Sequence, residues 1–498
     1  MINCNSPVAA SRKLNITLPT LNVIEEYLLL KNIHNFEIPK RVSFDEPEGF
    51  YIVSYSYSMT HEDFNVKVLG DRTIMSPLKP SLLPEGMSFG FIENHDRVIL
   101  DASLENFNLC QEKGETPISF EKAGPHKHLY FEASKTKVAI VTCGGLCPGL
   151  NNVIRSVVNE LYYRYKVDKV IGIQYGYEGF IPKYKHPVIE LTPQRVESIH
   201  LFGGTILGSS RGLQDTGEIV DALVSLDVNI LFCIGGDGTL RGAHAIYEEI
   251  ASRNLDIAVA GIPKTIDNDI NLIDKSFGFE TAFDIAHDII RCAHNEAIGA
   301  YNGISVLKLM GRDSGFIAAY AALSMQAANF VLVPEMKFDL HGPKGFLNAL
   351  RKRLESRHHA LIVVAEGAGQ HFFDGDMFEK DASGNTKNKD IGLYLKEKIA
   401  EEFNAKNIPF SLKYIDPSYI IRSAPANASD SKFCSLLGQN AVHAAMAGKT
   451  DFVIGHWNNL YTLLPIPISV SQRKRIDIEG ELWWNVLETT GQPVLMKN

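Results

Sequence analysis

Short β-branched runs that end in glycine-rich turns recur along this chain from Lys135 onward. An amphipathic stretch follows most of these runs, and this alternation predicts a parallel sheet flanked by helices. The predicted strands are 137–142, 169–174, 229–235, 256–262, 303–310, 330–335 and 360–367, and the clearest predicted helices are 152–165, 281–297 and 345–358. Because such sheets bind ligands at the carboxyl ends of their strands, we expect functional residues in the loops that follow.

The length, the charge balance and the cysteine content exclude several other classes of protein. A chain of 498 residues is too long for one ordinary hydrophobic core and predicts two or three domains. Its net charge of −9 disfavours nucleic acid or an anionic membrane as a partner. The seven cysteines contain no C-x-x-C pair, and no stretch approaches the ~20 apolar residues that span a bilayer. We therefore expect a cytoplasmic protein with neither nucleic-acid nor membrane partners.

Residues 1–134 show a mixed pattern and no motif with recognisable chemistry. A helical pattern spans 21–32, a strand-like run spans 49–59, and several proline-rich breaks interrupt this part of the chain. This mixture predicts an N-terminal α+β extension ahead of the parallel sheet.

Three loops rich in small residues have the composition of phosphate-binding loops. The loop 143–149 follows a predicted strand and leaves main-chain amides bare, although glycines at such a turn serve tight packing equally well. The loop 203–212 places Arg211 among glycines and serines, and a guanidinium matches phosphate oxygens. In 234–243, glycines surround Asp237, which could bind a Mg²⁺ ion that shares phosphate oxygens. Together the loops predict a nucleotide or polyphosphate site.

Carboxylates and basic residues come after the later predicted strands. Asp267 and Asp269 follow 256–262, where one could accept a proton from an attacking hydroxyl, although D-N-D is also common in turns. Further along the chain, groups suited to phosphate or sugar oxygens are Arg312, Glu366, Lys413, Tyr419 and Arg422. These residues extend the predicted site from a donor phosphate to an acceptor.

Six motifs occur in one order along the chain, namely TCGGLCPGLN, GGTILGSSRG, GGDGT, PKTIDNDI, MGRDSGF and KYIDPSYIIR. In this order they resemble the 6-phosphofructokinase family, and the resemblance runs from about 136 to 485. NAD kinases and lipid kinases resemble the chain only at GGDGT. The chain looks most similar to the longer ATP-dependent branch of trypanosomatids and plants, which is related to pyrophosphate-dependent enzymes.

The resemblance implies an α/β fold of two Rossmann-like parallel-sheet lobes with the N-terminal extension. The implied division is an extension over 1–134, a nucleotide-binding lobe of 135–272 with 446–485, a sugar-phosphate-binding lobe of 273–445, and a C-terminal tail of 486–498. It also implies a glycolytic, allosterically regulated homotetramer with sites near subunit contacts.

The implied reaction is transfer of the γ-phosphoryl group of Mg-ATP to the 1-hydroxyl of fructose 6-phosphate. Asp267 would be the base, Asp269 would assist it, and Thr265 and Arg312 would steady the moving phosphoryl group. Asp237 would hold magnesium. The implied nucleotide-binding residues are Gly145, Arg211, Gly212, Gly236, Asp237, Gly238 and Thr239. The implied sugar-phosphate-binding residues are Thr265, Ile266, Asp267, Met310, Gly311, Arg312, Glu366, Tyr419, Ile420, Ile421 and Arg422, with Lys413 as a further candidate.

Two positions bear on the phosphoryl donor. Pyrophosphate-dependent relatives generally carry a second aspartate directly after the Asp of GGD, where it would repel the α-phosphate of ATP, and this chain has Gly238. Those relatives also favour a lysine at the position of Lys264, but the long ATP-dependent branch combines glycine and lysine as this chain does. The resemblance therefore implies ATP as the donor.

Two alternatives keep the same fold. One is a pyrophosphate-dependent enzyme. The other is a non-catalytic regulatory subunit, against which the intact set of Asp237, Asp267, Asp269 and Arg312 argues.

Two other positions depart from compact bacterial members of the family. Gly303 stands where those enzymes have an arginine that bridges subunits to the sugar phosphate, and Tyr419 replaces their histidine. The resemblance therefore does not identify the groups that bind the 6-phosphate in this chain, and Lys413 is one candidate.

Overall fold

The computed structural model of the chain describes residues 59–78, 90–373 and 388–498. The predicted helix at 21–32 and all but the last residue of the run at 49–59 lie outside these residues. The described residues belong to one packed unit, Met59–Asn498. No helix within the described ranges has both the length and the apolar composition needed to cross a bilayer.

Seventeen strands run through the described part of the chain. They are β1 Lys67–Val68, β2 Ile74–Met75, β3 Arg97–Ile99, β4 Ser119–Lys122, β5 His128–Leu129, β6 Lys137–Thr142, β7 Lys169–Ile173, β8 Val188–Glu190, β9 Ile230–Gly235, β10 Ala258–Pro263, β11 Gly303–Leu309, β12 Phe330–Leu332, β13 His359–Ala365, β14 Ser411–Ile415, β15 Lys449–Thr450, β16 Phe452–Trp457 and β17 Leu460–Pro465. All seven strands predicted from the sequence are confirmed, to within a few residues at their ends.

The larger sheet has the strand order β3-β4-β17-β16-β10-β9-β6-β7-β8. Its centre, from β16 to β7, is parallel, and the strands at both edges pair antiparallel. All six residues of β9 are buried because helices cover both faces of the sheet. Full burial of a Val, Leu or Ile side chain contributes about 1.5–3 kcal/mol, so this apolar centre anchors the lobe.

The smaller sheet has the order β12-β13-β11-β14 and is parallel throughout. The register pairs Leu309 with Ala365, so β11 and β13 end side by side. The loops after these two strands therefore emerge next to each other, as do the loops after β6, β9 and β10 in the larger sheet. Two parallel-sheet lobes confirm the predicted α/β fold class.

Twelve α-helices lie within the described ranges. They are Leu104–Lys113, Leu150–Asn159, Thr216–Ser225, Asp237–Ser252, Phe279–Ile298, Phe316–Met325, Phe346–Arg357, Ile391–Ala405, Ser418–Arg422, Ala428–Met446, Ile466–Ser469 and Glu481–Thr490. The three helices predicted from the sequence are all present, and the first continues as a π-helical turn over Glu160–Tyr165. Gly149 begins that first helix at φ 105°, and a Cβ there would lie 2.6 Å from Cys434 Sγ, so only glycine fits.

Parts of the predicted extension and tail pack into the two lobes. Strands β3 and β4, from within 1–134, form an edge of the larger sheet. Near the other end of the chain, the helix Glu481–Thr490 packs against Phe316–Met325, and the Gln492 side chain accepts a 2.6 Å hydrogen bond from the Val331 amide of β12. The domain boundaries at 134, 272, 446 and 485 stay predictions, but these elements are integral to the sheets they join.

Candidate active site

A cavity of about 660 Å³ lies where the carboxyl ends of both parallel sheets meet. It receives the loops after β6, β9 and β10 from one lobe and after β11 and β13 from the other. The predicted site residues in its wall are Gly145, Arg211, Gly212, Gly236, Asp237, Gly238, Thr239, Lys264, Thr265, Ile266, Asp267, Asp269, Arg312, Glu366 and Arg422. Residues more than 270 positions apart in the chain thus share one cavity, and its volume suits a nucleotide.

Two predicted substrate residues lie behind the cavity wall. Met310 is fully buried, and its Sδ accepts a 3.2 Å hydrogen bond from Arg422 Nε, so it packs beneath that arginine. Gly311 has φ 123° and its carbonyl accepts a 2.9 Å hydrogen bond from the Gly367 amide. This bond joins the loops after β11 and β13, so both residues support the wall from behind.

Four more predicted substrate residues lie away from the wall. On the short helix Ser418–Arg422, Tyr419 is 83% exposed and Ile420 68% exposed, whereas Ile421 is fully buried. Successive side chains on a helix point about 100° apart, so Arg422 faces the cavity while the two residues before Ile421 face solvent. Lys413 is exposed in the middle of the edge strand β14, opposite Ser305. Roles for these residues in substrate binding stay predictions.

One side of the cavity is built from main-chain groups, the buried Lys264 and the more exposed Arg211. Gly236 is the N-cap of the helix Asp237–Ser252, whose first amides have no partner within the helix, and such a helix end can bind an anion. Beneath the loop after β6, Lys264 Nζ donates a 2.8 Å hydrogen bond to the Gly145 carbonyl. Burial lowers the pKa of Lys264. A Cβ on Gly145 would come within 3.1 Å of Arg211 Nη2, so glycine here lets the guanidinium reach the loop.

Asp267 has the properties of a general base. Burial, followed by the negative charges of Asp269 and Glu366, raises the pKa of its carboxyl group to about 7. One oxygen, Oδ2, accepts a long 3.4 Å hydrogen bond from the Arg312 amide. The other, Oδ1, has no hydrogen-bond partner among the described residues. A carboxylate with an uncommitted oxygen and a pKa near neutrality can take a proton from a substrate hydroxyl.

Asp269 is held more firmly than Asp267. Its Oδ1 accepts a 2.6 Å hydrogen bond from Thr265 Oγ1, and its Oδ2 forms a close ion pair with Arg473. The residue is only 5% exposed. Both carboxylate oxygens of Asp269 are thus engaged by neighbouring side chains, whereas Asp267 remains available for proton transfer.

The cavity also contains arginines that the sequence analysis missed. Arg473 pairs with Asp269, and Arg241 Nε lies 3.1 Å from Asp237 Oδ2. The sequence signal for Arg473 was the basic run 473–475 after the last strand, which contains no motif by itself. Other cavity residues that the analysis did not predict as contacts are Cys143, Gly144, Leu146, Cys147, Tyr177, Ser210, Leu213 and Asn388.

The acidic side chains of the cavity suit a magnesium ion that binds together with a phosphate ligand. Within the described ranges, no group of three or more His, Cys, Asp or Glu side chains could hold a metal by itself. Mg²⁺ commonly uses one or two protein carboxylates together with substrate phosphates and water. Asp237 meets that requirement because its carboxylate lies in the cavity wall at the start of the helix Asp237–Ser252.

Comparison with models of known protein families matches residues 137–445 to the family described as Phosphofructokinase. The chain belongs to the phosphofructokinase family. The match includes every loop of the cavity wall except the segment that carries Arg473. The matched region holds β6 to β10 of the larger sheet and all four strands of the smaller sheet, whereas β3, β4, β16, β17 and Arg473 lie beyond it.

Curated members of the phosphofructokinase family cover most of the chain. It is 50% identical over 444 residues to an "ATP-dependent 6-phosphofructokinase" from Borreliella burgdorferi, with 88% of this chain and 98% of the relative covered. It is 44% identical over 437 residues to a protein of the same name from Trypanosoma cruzi, with 87% and 88% covered. An Arabidopsis thaliana protein named "ATP-dependent 6-phosphofructokinase 1" is 47% identical over 382 residues, with 76% and 80% covered.

Solved phosphofructokinase structures share the fold at low sequence identity. A pyrophosphate-dependent phosphofructokinase from Marinobacter aquaeolei aligns with a TM-score of 0.60 and 19% identity, covering 72% of this chain and 92% of that one. A Pichia pastoris phosphofructokinase aligns with a TM-score of 0.55 and 21% identity, covering 71% and 39%. Both likenesses concern the fold alone.

The structure explains the departure from the family pattern at Gly303. This residue begins β11 at the end of the strand opposite to the cavity. A Cβ there would lie 2.0 Å from the Ala297 carbonyl oxygen, so no side chain fits without moving the backbone. This chain therefore has no counterpart at position 303 to the arginine of the compact bacterial enzymes.

Proposed function

We propose that this protein transfers the γ-phosphoryl group of Mg-ATP to the 1-hydroxyl of fructose 6-phosphate, giving fructose 1,6-bisphosphate and ADP. The observation that carries the proposal is the position of Asp267. Asp267, whose Oδ1 has no hydrogen-bond partner among the described residues, lines the same cavity as the first turn of the helix Asp237–Ser252. A base for a hydroxyl and a site for phosphates therefore face one space, as phosphoryl transfer requires.

The acceptor half of the site prepares the hydroxyl for attack. Asp267 would take the proton from the 1-hydroxyl as the oxygen attacks phosphorus, and the paired Asp269 would keep that carboxylate in place. Glu366 would accept hydrogen bonds from sugar hydroxyls, and Arg422 would meet a phosphate oxygen. Met310 supports Arg422 from below. We include Gly311, Lys413, Tyr419, Ile420 and Ile421 in the proposed acceptor region without assigning them contacts.

The donor half of the site stabilises negative charge. Charge on the transferring group spreads over its equatorial oxygens, and Arg312 and Thr265 lie in the wall to meet them. Arg211 and the amides after Gly236 would hold the remaining phosphates, together with Gly145, Gly212 and Thr239. Asp237 would hold magnesium, which when bound neutralises phosphate charge.

ATP is the proposed donor, rather than pyrophosphate. Gly238 leaves open space in the first turn of its helix, because a Cβ added there would have no atom of the described residues within 4 Å. That space would accommodate the α-phosphate and the nucleoside of ATP, which lie beyond the γ- and β-phosphates. The curated relatives at 44–50% identity bear names that specify ATP. Lys264 Nζ donates its hydrogen bond to the Gly145 carbonyl.

The decisive experiment compares initial rates with ATP and with pyrophosphate at the same fructose 6-phosphate concentration. We expect fructose 1,6-bisphosphate to form with ATP and at most slowly with pyrophosphate, as measured by an aldolase-coupled assay. Faster turnover with pyrophosphate would reject the role given to Gly238. Absence of product with both donors in homogeneous folded protein would favour the regulatory-subunit alternative.

The pH dependence of kcat/KM should report the ionisation of Asp267. Because its pKa is raised to about 7, the carboxyl group is protonated and inactive as a base below that pH. We expect kcat/KM to fall about tenfold per pH unit below pH ~7 and to level off above it. The 6-phosphate of the substrate also ionises near pH 6, so Asp267→Asn is the control. A residual activity of this variant with the same pH profile as the wild type would contradict the assignment.

The proposals on pathway, localisation, regulation and oligomeric state rest on the same enzymatic role. We place the protein in glycolysis as a cytoplasmic, allosterically regulated homotetramer. Light scattering coupled to size exclusion would test the last point directly, since a tetramer has four times the 55.3 kDa mass of one chain.

A further inference from the structure

Lys308 is a mostly buried cation that is not part of the cavity wall. It lies on β11, two residues before Met310, and its side chain is 12% exposed. Its Nζ donates a 2.6 Å hydrogen bond to Asp390 Oδ2 and lies 2.9 Å from Asp416 Oδ2. One ammonium group therefore joins two carboxylates from different segments of the smaller lobe.

Asp416 connects Lys308 to the short helix Ser418–Arg422. It follows β14 directly and precedes that helix by two residues. Its Oδ1 accepts hydrogen bonds from the Ser418 amide at 3.1 Å and from Ser418 Oγ at 2.6 Å. The carboxylate thus binds the first residue of the helix with one oxygen and Lys308 with the other.

The other end of the same helix is held by Met310. Arg422 is the last residue of the helix, lines the cavity, and donates a 3.2 Å hydrogen bond from Nε to Met310 Sδ. A helix of five residues is little more than one turn and is too short to be stable through its own backbone hydrogen bonds. Its orientation therefore depends on the contacts at its two ends, and one of these leads to Lys308.

Asp390 connects Lys308 to a second segment at the cavity. It is the N-cap of the helix Ile391–Ala405, and Asn388, two residues earlier, lines the cavity. Without the ammonium group, Asp390 and Asp416 would be two neighbouring carboxylates that repel each other. We expect this repulsion to displace Asp416 and, with it, the start of the short helix.

We propose that Lys308 is a positioning residue for the phosphate of the acceptor, because it fixes Asp416 and thereby directs Arg422 into the cavity. Lys308 acts through the helix Ser418–Arg422 and makes no contact with substrate itself. The inference rests on the proposed function through the assignment of Arg422 to a phosphate oxygen of fructose 6-phosphate.

The test measures the dissociation constant of fructose 6-phosphate by isothermal titration calorimetry, together with steady-state kinetics with ATP. For Lys308→Met we expect fructose 6-phosphate to bind about 10- to 100-fold more weakly, because a charge-assisted hydrogen bond to its phosphate is misplaced. KM for fructose 6-phosphate should rise to the same extent. The values of kcat and of KM for ATP should stay within about threefold, because a phosphate remote from the reacting hydroxyl is held alike in the ground and transition states.

A double-mutant cycle separates positioning from a general loss of stability. Asp416→Ala removes the same link, so the double variant should bind fructose 6-phosphate within about threefold of the weaker single variant. The matched control is Lys449→Met, which removes a buried lysine that pairs with Glu121 outside the cavity wall. It should lower the unfolding temperature and leave the dissociation constant of fructose 6-phosphate unchanged.

Unchanged binding of fructose 6-phosphate by folded Lys308→Met would overturn the proposal, and so would effects of the two single substitutions that add in the double variant. If Lys308→Met does not fold, Ser418→Ala takes its place, because it removes only the hydroxyl bond to Asp416. This variant should bind fructose 6-phosphate about threefold more weakly or worse, and wild-type affinity would contradict the proposal.

The binding measurement distinguishes failure of this inference from failure of the proposed function. A wild type that binds fructose 6-phosphate but forms no product with either donor rejects the proposed function, and the comparison of dissociation constants still decides the role of Lys308. An active wild type with equal affinity in folded Lys308→Met rejects the role of Lys308 alone.

Discussion

Replacing Asp267 by asparagine should lower kcat by roughly 10²- to 10⁴-fold, which is the usual contribution of a general base. The amide keeps the size of the carboxyl group and can still accept the hydrogen bond from the Arg312 amide, but it cannot take a proton. KM for both substrates should change little. The measurement is steady-state kinetics with fructose 6-phosphate and ATP, with circular dichroism to verify folding. Near-normal turnover would remove Asp267 from the role of base, as it would in Asp267→Ala or Asp267→Ser.

The same substitution should make the ligand-free protein more stable at alkaline pH. The folded-state pKa of Asp267 lies above its ordinary value of 3.8, so the fold disfavours the charged carboxylate and loses stability as pH rises from about 4 to 7. Asparagine carries no such penalty. The gain should be absent near pH 4 and should reach up to about 4 kcal/mol above pH 7, measured by denaturant unfolding. The control is Asp168→Asn, at an exposed surface aspartate, which should show no comparable pH-dependent gain.

Replacing Gly238 by aspartate should lower kcat/KM for ATP by about 10²-fold or more. The new carboxylate would stand in the space assigned to the α-phosphate, and two like charges about 4 Å apart in a partly closed cavity repel by several kcal/mol. The fold should tolerate the change, because no described atom lies within 4 Å of the added Cβ and an acid suits the first turn of a helix. Rates with ATP and with pyrophosphate measure the effect.

Gly238→Asn is the matched control for charge, because asparagine has nearly the same size as aspartate and is neutral. We expect it to retain much more ATP activity than Gly238→Asp and to show no relative gain with pyrophosphate. If both variants lose ATP activity equally, size rather than charge decides donor choice at this position. If neither variant loses activity, the nucleotide does not pass over Gly238 and the proposed donor geometry is wrong.

The strand pattern was predictable because buried parallel strands are apolar along their whole length. The runs that became β6, β9, β10, β11 and β13 carry apolar residues on both faces, since helices cover both sides of each sheet. Their carboxyl ends meet in one cavity, which is why Gly236, Asp267 and Arg312 could be grouped before any geometry was available. The short edge strands β3 and β4 have no such pattern, and they were assigned to a separate extension.

Individual contacts were less predictable than the loops that carry them. The motif around 413–422 placed five candidates near the substrate, but only Arg422 lines the cavity. Lys413, Tyr419 and Ile420 are exposed to solvent, and Ile421 is buried. Arg422 is directed towards the cavity wall by a contact with Met310, which is distant in the sequence, so the local sequence alone could not predict its direction. The substrate roles of the exposed residues therefore stay predictions.

The sequence by itself determined the α/β fold class, the order of the glycine-rich and acidic loops, and the acid pair Asp267 and Asp269, of which the family resemblance implied Asp267 as the base. These features depend on local patterns, namely apolar runs, glycine turns and polar residues at strand ends. Only the tertiary structure decided that Arg473 joins Asp237, Asp269 and Asp313, because that cluster links residues up to 236 positions apart. It also decided which oxygen of Asp267 stays uncommitted. Such properties arise from charges and burial that form only when distant loops pack together.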